Sequence, residues 1–237
     1  MKLIVTGATG YVATEVIKQA LRMPAITSIV ALARRPVKFD QEEAGQGKLK
    51  SVVVKEYDHY PEEVKAEFAG ANACIWTVAI TPAKSKMYDF KEVKRICQDS
   101  PIAGFKAMIE AGPAKPFKFL YFSGDGIERD RKTTPMLMGD YLMMRGEAES
   151  QVLAIASSHS PDTQACVVRP GIISSTQSIG KSLLSFAAKI IPMASTVSLE
   201  QMAAACLQQI VNEKGFEKDT LSNAELVEIG SAALEKK

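Results

Sequence analysis

Short runs of apolar and β-branched residues alternate along this chain with longer stretches whose apolar positions recur at helical spacing. The first run is Lys2–Thr6, with Leu3, Ile4 and Val5 unbroken. A strand covered on one face alternates apolar and polar residues. An unbroken apolar run is covered on both faces, as in a parallel sheet between two layers of helices. The pattern predicts strands at Lys2–Thr6, Ser28–Ala33, Leu49–Lys55, Ala73–Val78, Phe117–Ser123 and Gln164–Val168. It predicts helices at Tyr11–Leu21, Pro61–Phe68, Asp99–Ala111, Tyr141–Ser157, Leu199–Asn212 and Ala224–Leu234. Ser222-Asn223-Ala224-Glu225 fits a capping box ahead of the last helix. Strand and helix alternating from residue 1 predict an α/β fold, a doubly wound and mostly parallel sheet. Three stretches carry no period: Thr81–Lys86, Gly124–Asp140 and Ser174–Ser195. Each follows the C-terminal end of a strand, the side on which open α/β sheets bind ligands.

The chain's 237 residues suit one such domain. With 46% apolar and 24% charged residues, the chain can bury a core without disulfides or metals. A net charge of +2 argues against nucleic acid or an anionic membrane as partner. No apolar run has the length of a membrane span, and the N-terminus has no secretory pattern, so a cytoplasmic location is expected. Cys74, Cys97, Cys166 and Cys206 form no CxxC pair and read as small buried hydrophobes in a reducing cytosol. His59 and His159 are far apart in sequence, so no metal site is expected.

Val5-Thr6-Gly7-Ala8-Thr9-Gly10-Tyr11-Val12-Ala13 joins the first strand to the first helix. Gly7 permits the sharp turn, and Gly10 lets a pyrophosphate approach the backbone. Ala13 is small enough for the helix to pack on the strand, and the helix N-terminus offers free N–H groups to a phosphate. Thr6, Gly7, Thr9, Gly10, Tyr11 and Val12 are therefore candidate cofactor contacts. The second strand ends in Arg34 and Arg35, where an NAD-selective site carries an acid. The pair either binds the 2′-phosphate of NADP(H) or is a solvated basic pair; its position favours the phosphate. Asp58 either accepts from the adenine amino group or only forms a turn. Thr77 and Val78 end the fourth strand beside the cofactor.

These motifs resemble the atypical short-chain dehydrogenase/reductase family, and within it the NmrA-like and NAD(P)-binding oxidoreductase-like branch. The resemblance is carried by residues 6–13, Arg34-Arg35, Tyr121-Phe122-Ser123, Tyr141 to Glu149 and Arg169-Pro170-Gly171, and it spans nearly the whole chain. It implies a Rossmann fold with a small C-terminal substrate-binding region, its elements expected at about 174–198 and 213–237, and Pro170 among the cofactor contacts. It also implies a Ser/Tyr/Lys catalytic set, which maps onto Ser123, Tyr141 and position 145. Tyr141 and residue 145 are four apart and so share one helix face. Position 145 is Arg where the family has Lys. In the family the lysine lowers the tyrosine pKa and bonds the nicotinamide ribose, and the tyrosine protonates a carbonyl oxygen. Arginine keeps the charge but bonds differently.

Met136, Leu137, Met138, Met143 and Met144 offer an adaptable apolar wall near this set, unless they only fill core. Ile172-Ile173 and Leu183–Ile191 add apolar surface. These loops hold no Lys/Arg cluster, and the chain is shorter than the sugar-nucleotide epimerases it distantly resembles, so that activity is set aside. Three functions fit. One is an NADP(H)-dependent reductase of a small apolar carbonyl or enone. The second is a redox-inactive NADP(H)-sensing protein acting through a regulatory partner, as the NmrA-like branch implies. The third is a non-redox isomerase or cyclase on the same fold. A homodimer is compatible with each.

Overall fold

The computed structural model describes residues 1–38, 47–130, 132, 134–136, 138–174 and 195–235. Its elements begin with β1 (Lys2–Thr6), α1 (Tyr11–Leu21), β2 (Ser28–Ala33), β3 (Leu49–Val53), α2 (Glu62–Ala66) and β4 (Ala73–Trp76). Then come α3 (Pro82–Ser85) and α4 (Phe90–Lys94), which runs through a π-helical turn (Arg95–Asp99) into α5 (Ser100–Glu110). β5 (Phe117–Phe122), α6 (Gly139–Ser158), β6 (Thr163–Arg169) and β7 (Ile172–Ser174) follow. The last are β8 (Thr196–Ser198), α7 (Leu199–Val211), β9 (Thr220–Ser222) and α8 (Asn223–Glu235).

Seven strands form one sheet in the order β3-β2-β1-β4-β5-β6-β9, every neighbouring pair parallel. The chain winds outward from β1 in one direction and then, from β4, in the other. This is the doubly wound Rossmann arrangement, and its switch point lies between β1 and β4.

Successive side chains on a strand point to opposite faces, and both faces here are apolar. Leu3, Val5, Ile29 and Leu120 pack with Val16 and Ile17 of α1 and with Met202 and Cys206 of α7. Ile4, Val30, Phe119 and Tyr121 pack the other way, against Phe105 and Met108 of α5 and Val152 of α6. Phe105 stacks on Phe119 at 4.0 Å. Gly104 sits against Trp76, where an added Cβ would come within 2.3 Å of the indole.

The observed elements depart from the periodic reading in places. β3 ends at Val53 rather than Lys55, β4 at Trp76 rather than Val78, and the helix expected from Pro61 spans Glu62–Ala66. Past Trp76 the backbone ladder gives way to side chains, the Thr77 N–H donating to the Thr6 hydroxyl and the Thr77 hydroxyl to the Thr6 carbonyl. Thr81–Lys86 holds the short helix α3. The helix expected from Asp99 begins nine residues earlier in the chain, at Phe90, where Asp89 caps it by accepting from the Lys91 N–H. The π turn sits where Pro101 has no N–H to offer the Cys97 carbonyl.

A seventh strand, β9, went unforeseen. It comes from the 213–237 stretch, which also supplies α8. The capping box ahead of α8 forms, with Ser222 N–H donating to Glu225 and Glu225 N–H to Ser222. Of the 174–198 stretch, residues 175–194 lie outside the described residues, as does Leu137. Among the described residues no helix is long and apolar enough to cross a membrane.

Candidate functional site

β1 delivers the chain to Gly7, whose φ of +67° is a conformation that disfavours side chains. A Cβ there would also come within 2.7 Å of Thr77 Oγ1. The Gly10 N–H closes the turn on the Gly7 carbonyl at 2.7 Å, and a Cβ on Gly10 would meet that carbonyl at 2.9 Å. The turn is therefore a cradle from which side chains are excluded. α1 then starts with no side-chain cap and no acid in its first turn, so its first N–H groups and dipole face outward unspent. Behind the turn, the Gly7 N–H donates to the Tyr57 hydroxyl at 3.2 Å, and that hydroxyl donates to the Leu32 carbonyl at 3.1 Å. Burial pushes the Tyr57 hydroxyl up to about 12, so it stays protonated and keeps both bonds.

The turn opens on a cleft of about 710 Å³ at the switch point. Gly7, Thr9, Gly10, Tyr11 and Val12 line it from the turn, Arg34 from the end of β2, and Thr77 and Val78 from the end of β4. Glu56, Tyr57, Arg95, Phe122, Gly171 and Ile173 complete much of its wall. Four expected contacts stand elsewhere. Thr6 is buried beneath the turn, its Oγ1 accepting from the Thr77 N–H. Arg35 is exposed outside the cleft wall. Pro170 is buried, its carbonyl accepting from the Asp125 N–H. Asp58 is paired with Arg95 at 3.0 Å.

Ser123 follows the end of β5. Its Oγ is buried and finds no partner among the described residues, and an orphaned buried hydroxyl is costly unless something uses it. Tyr141, on α6, donates to the Ile80 carbonyl at 2.9 Å. Burial pushes its hydroxyl up to about 12, with the nearby Arg145 charge pulling the other way. Arg145, one turn on, is 2% exposed. Its guanidinium donates to the Phe122 carbonyl at 2.5 Å and to the Cys97 carbonyl at 3.2 Å, and lies 5.1 Å over the Tyr121 ring. The Cys97 carbonyl is the one Pro101 cannot serve. It takes the Tyr121 hydroxyl at 2.9 Å as well. The Ile80 N–H bonds the Cys97 sulfur at 3.1 Å. Ser123, Tyr141 and Arg145 are thus linked through the end of β5, Ile80 and the π turn.

Tyr141 also borders a smaller pocket of about 280 Å³ with Tyr88, Phe90, Val93, Met136 and Met138. Tyr88 lines both spaces. The apolar wall read from the methionines therefore includes Met136 and Met138, whereas Met144 is buried against Ile80, Val93, Cys97 and Tyr141.

Sequence reasoning missed Tyr57, Arg95, Tyr121 and Cys97. Tyr57 had a signal, since it follows the third strand beside the turn. Arg95 had one in the acid three residues before it, an i,i+3 helical pair. Tyr121 and Cys97, which bond each other, lie 24 residues apart in sequence, and no local pattern announces the pair. Among the described residues no group of three or more His, Cys, Asp or Glu could hold a metal ion.

Comparison with known proteins agrees with this geometry. The model of the NAD(P)H-binding family matches residues 7–213. Leucinostatins biosynthesis cluster protein T of Purpureocillium lilacinum is 29% identical over 133 residues, 55% of this chain and 45% of that protein, so the match spans under half the relative's length. The solved structure of MoeE5 in complex with UDP-glucuronic acid and NAD superposes with a TM-score of 0.69 at 15% identity, covering 94% of this chain and 76% of that one. Vestitone reductase from alfalfa superposes with a TM-score of 0.62 at 15% identity, covering 93% and 76%. At such identities the likeness is one of fold.

Proposed function

The chain belongs to the NAD(P)H-binding family, and on that footing we propose that it is an NADP(H)-dependent reductase of a small apolar carbonyl or enone compound. The observation that carries this reading is Arg34, which lines the cleft at the end of β2 where an NAD-selective site carries an acid. The Gly7–Gly10 cradle and the uncapped α1 N-terminus fit a pyrophosphate. Arg34 would hold the 2′-phosphate from the cleft wall and Arg35 from outside it, and Thr77 and Val78 wall the cofactor from the β4 side. The nicotinamide supplies hydride when bound.

This chain's residues supply the proton. Tyr141 keeps its hydroxyl proton at neutral pH, because burial holds the group near 12, and it donates that proton to the substrate oxygen. The unpartnered Ser123 Oγ is a second donor to the same oxygen. Arg145 acts through the Phe122 and Cys97 carbonyls, holding the end of β5 and the π turn in place. Tyr88, Phe90, Val93 and Met138 receive the apolar part of the substrate. Four free, buried cysteines suit a cytosolic location.

Calorimetric titration with NADPH and NADH, then NADPH consumption across a panel of ketones and enones, tests the reading. Tighter NADPH binding and turnover of at least one apolar carbonyl are expected. Equal affinities would remove the NADP(H) assignment. One observation favours a second reading, a redox-silent protein that reports NADP(H) to a partner: the Arg145 guanidinium is committed to two backbone carbonyls. Tight binding of both cofactor forms with no turnover selects that reading.

A further inference from the structure

Arg95 opens the π turn and faces the residues that follow β3. Its Nε and Nη2 donate to the two oxygens of Glu92 at 2.8 and 2.7 Å. Its Nη1 donates to Glu56 at 2.8 Å and to Asp58 at 3.0 Å. A guanidinium has five N–H groups, so one on Nη2 is left over. Glu56, Glu92, Arg95 and Arg34 all line the main cleft. The Glu92 carboxyl is held below its usual range by its bonds to Arg95, with a further pull from Arg34. The two guanidiniums therefore act on one neighbourhood.

The charges there do not balance. Glu56, Asp58 and Glu92 share the single guanidinium of Arg95, so these four side chains carry two surplus negative charges beside Arg34, the arginine that would meet a phosphate. A doubly charged phosphate entering this corner is opposed unless the cluster rearranges. Glu92 grips one edge of the Arg95 guanidinium from the same helix, an i,i+3 pair that keeps the side chain in place. Glu56 and Asp58 hold the other edge from a different segment. A carboxylate on one edge and a phosphate on another is what arginine's planar fork allows and lysine's does not.

We propose that Arg95 is a third cation of the 2′-phosphate site, latched by Glu56 and Asp58 until the phosphate takes their place at Nη1. The two carboxylates thereby set how strongly the cleft prefers NADP(H) over NAD(H). The inference rests on the NADP(H) reading of the same cleft, but its test is separable from it.

Titration calorimetry of the full chain with 2′,5′-ADP and 5′-AMP reads this corner without nicotinamide or turnover. Arg95→Ala is expected to weaken 2′,5′-ADP about tenfold and 5′-AMP less than about twofold, the size of one lost charge-assisted contact. Glu56→Gln with Asp58→Asn is expected to tighten 2′,5′-ADP by about tenfold. Adding Arg95→Ala to that pair should erase the gain. If Arg95→Ala does not fold, Arg95→Lys keeps the charge without the fork and carries the same test with a smaller loss. The latch is overturned if Arg95→Ala leaves 2′,5′-ADP unchanged, if it weakens both ligands alike, or if the gain survives without Arg95. A wild type that binds both ligands equally defeats the NADP(H) reading. The latch then stands if Glu56→Gln with Asp58→Asn creates a preference for 2′,5′-ADP, and falls if it does not.

Discussion

At the turn after β1 the free groups belong to the backbone, while at the end of β5 nearly every polar side chain is engaged with a neighbour. Gly7 and Gly10 exclude side chains from the turn, and α1 begins without a cap. Any anion of the right shape can be held there, whatever chemistry follows. At the end of β5, Tyr141 is bonded to Ile80, Arg145 to Phe122 and Cys97, and Tyr121 to Cys97. Among the described residues, only the Ser123 hydroxyl is both buried and without a partner there. The first region is built to bind. The second is built to hold a few atoms still, and any chemistry it performs requires Tyr141 to exchange its Ile80 bond for one to substrate.

The sharpest way to break this contrast is at Tyr141. Tyr141→Phe should lower turnover of a carbonyl substrate by about a hundred- to ten-thousand-fold. NADPH affinity should stay the same by calorimetry, because Tyr141 does not line the main cleft. An unchanged rate would leave water or substrate as the proton source. In the wild type, the proton-donor limb of the pH–rate profile should stay flat from neutral pH upward and fall only as pH nears about 12, where Tyr141 loses its proton. A fall near pH 7 or 8 would assign the donor to another group.

Next in size is Glu149, whose carboxylate is fully buried with Arg169 at 2.5 Å and Arg129 at 3.4 Å, tying α6 to β6 and to the loop after β5. Glu149→Ala leaves Arg169 without its partner and should cost about 3–5 kcal/mol of stability. A urea melt with unchanged slope and a lowered midpoint would show it. A loss under 1 kcal/mol would mean that this end is less rigid than its bonding implies.

Gly10→Val strikes the other region. Its side chain occupies the cradle, and NADPH affinity should fall by about a hundredfold, or roughly 2.7 kcal/mol, while the far-UV circular dichroism spectrum is retained. Binding equal to wild type would place the pyrophosphate elsewhere. The smallest effect is expected from Arg145→Lys. An ammonium cannot span both carbonyls as the guanidinium does, so a loss of about 1–3 kcal/mol in thermal stability is expected, and turnover should drop with it. A gain in turnover would mean that a ribose contact, rather than support of the β5 end, is what position 145 is for.

Much of this molecule was legible before any coordinates. Lys2–Thr6, Ser28–Ala33 and Tyr11–Leu21 fall at the predicted residues, because an unbroken apolar run and a helical period are local properties that burial on two faces reinforces. The glycine turn was legible for the same reason: Gly7 and Gly10 act through their own backbone, and their spacing is written in consecutive residues. β9 was not legible, because three residues beside β6 carry no period. The fates of Arg145, Arg95 and Asp58 were not legible either. A charged side chain pairs with whatever the fold brings near, and here that was the Cys97 carbonyl freed by Pro101, 48 residues from Arg145, and an acid 37 residues from Arg95. Periodicity and glycine spacing determined the sheet and the cradle. Which polar groups are spent on each other and which are left for a ligand was decided only when distant segments met, since that choice depends on distances the linear order does not contain.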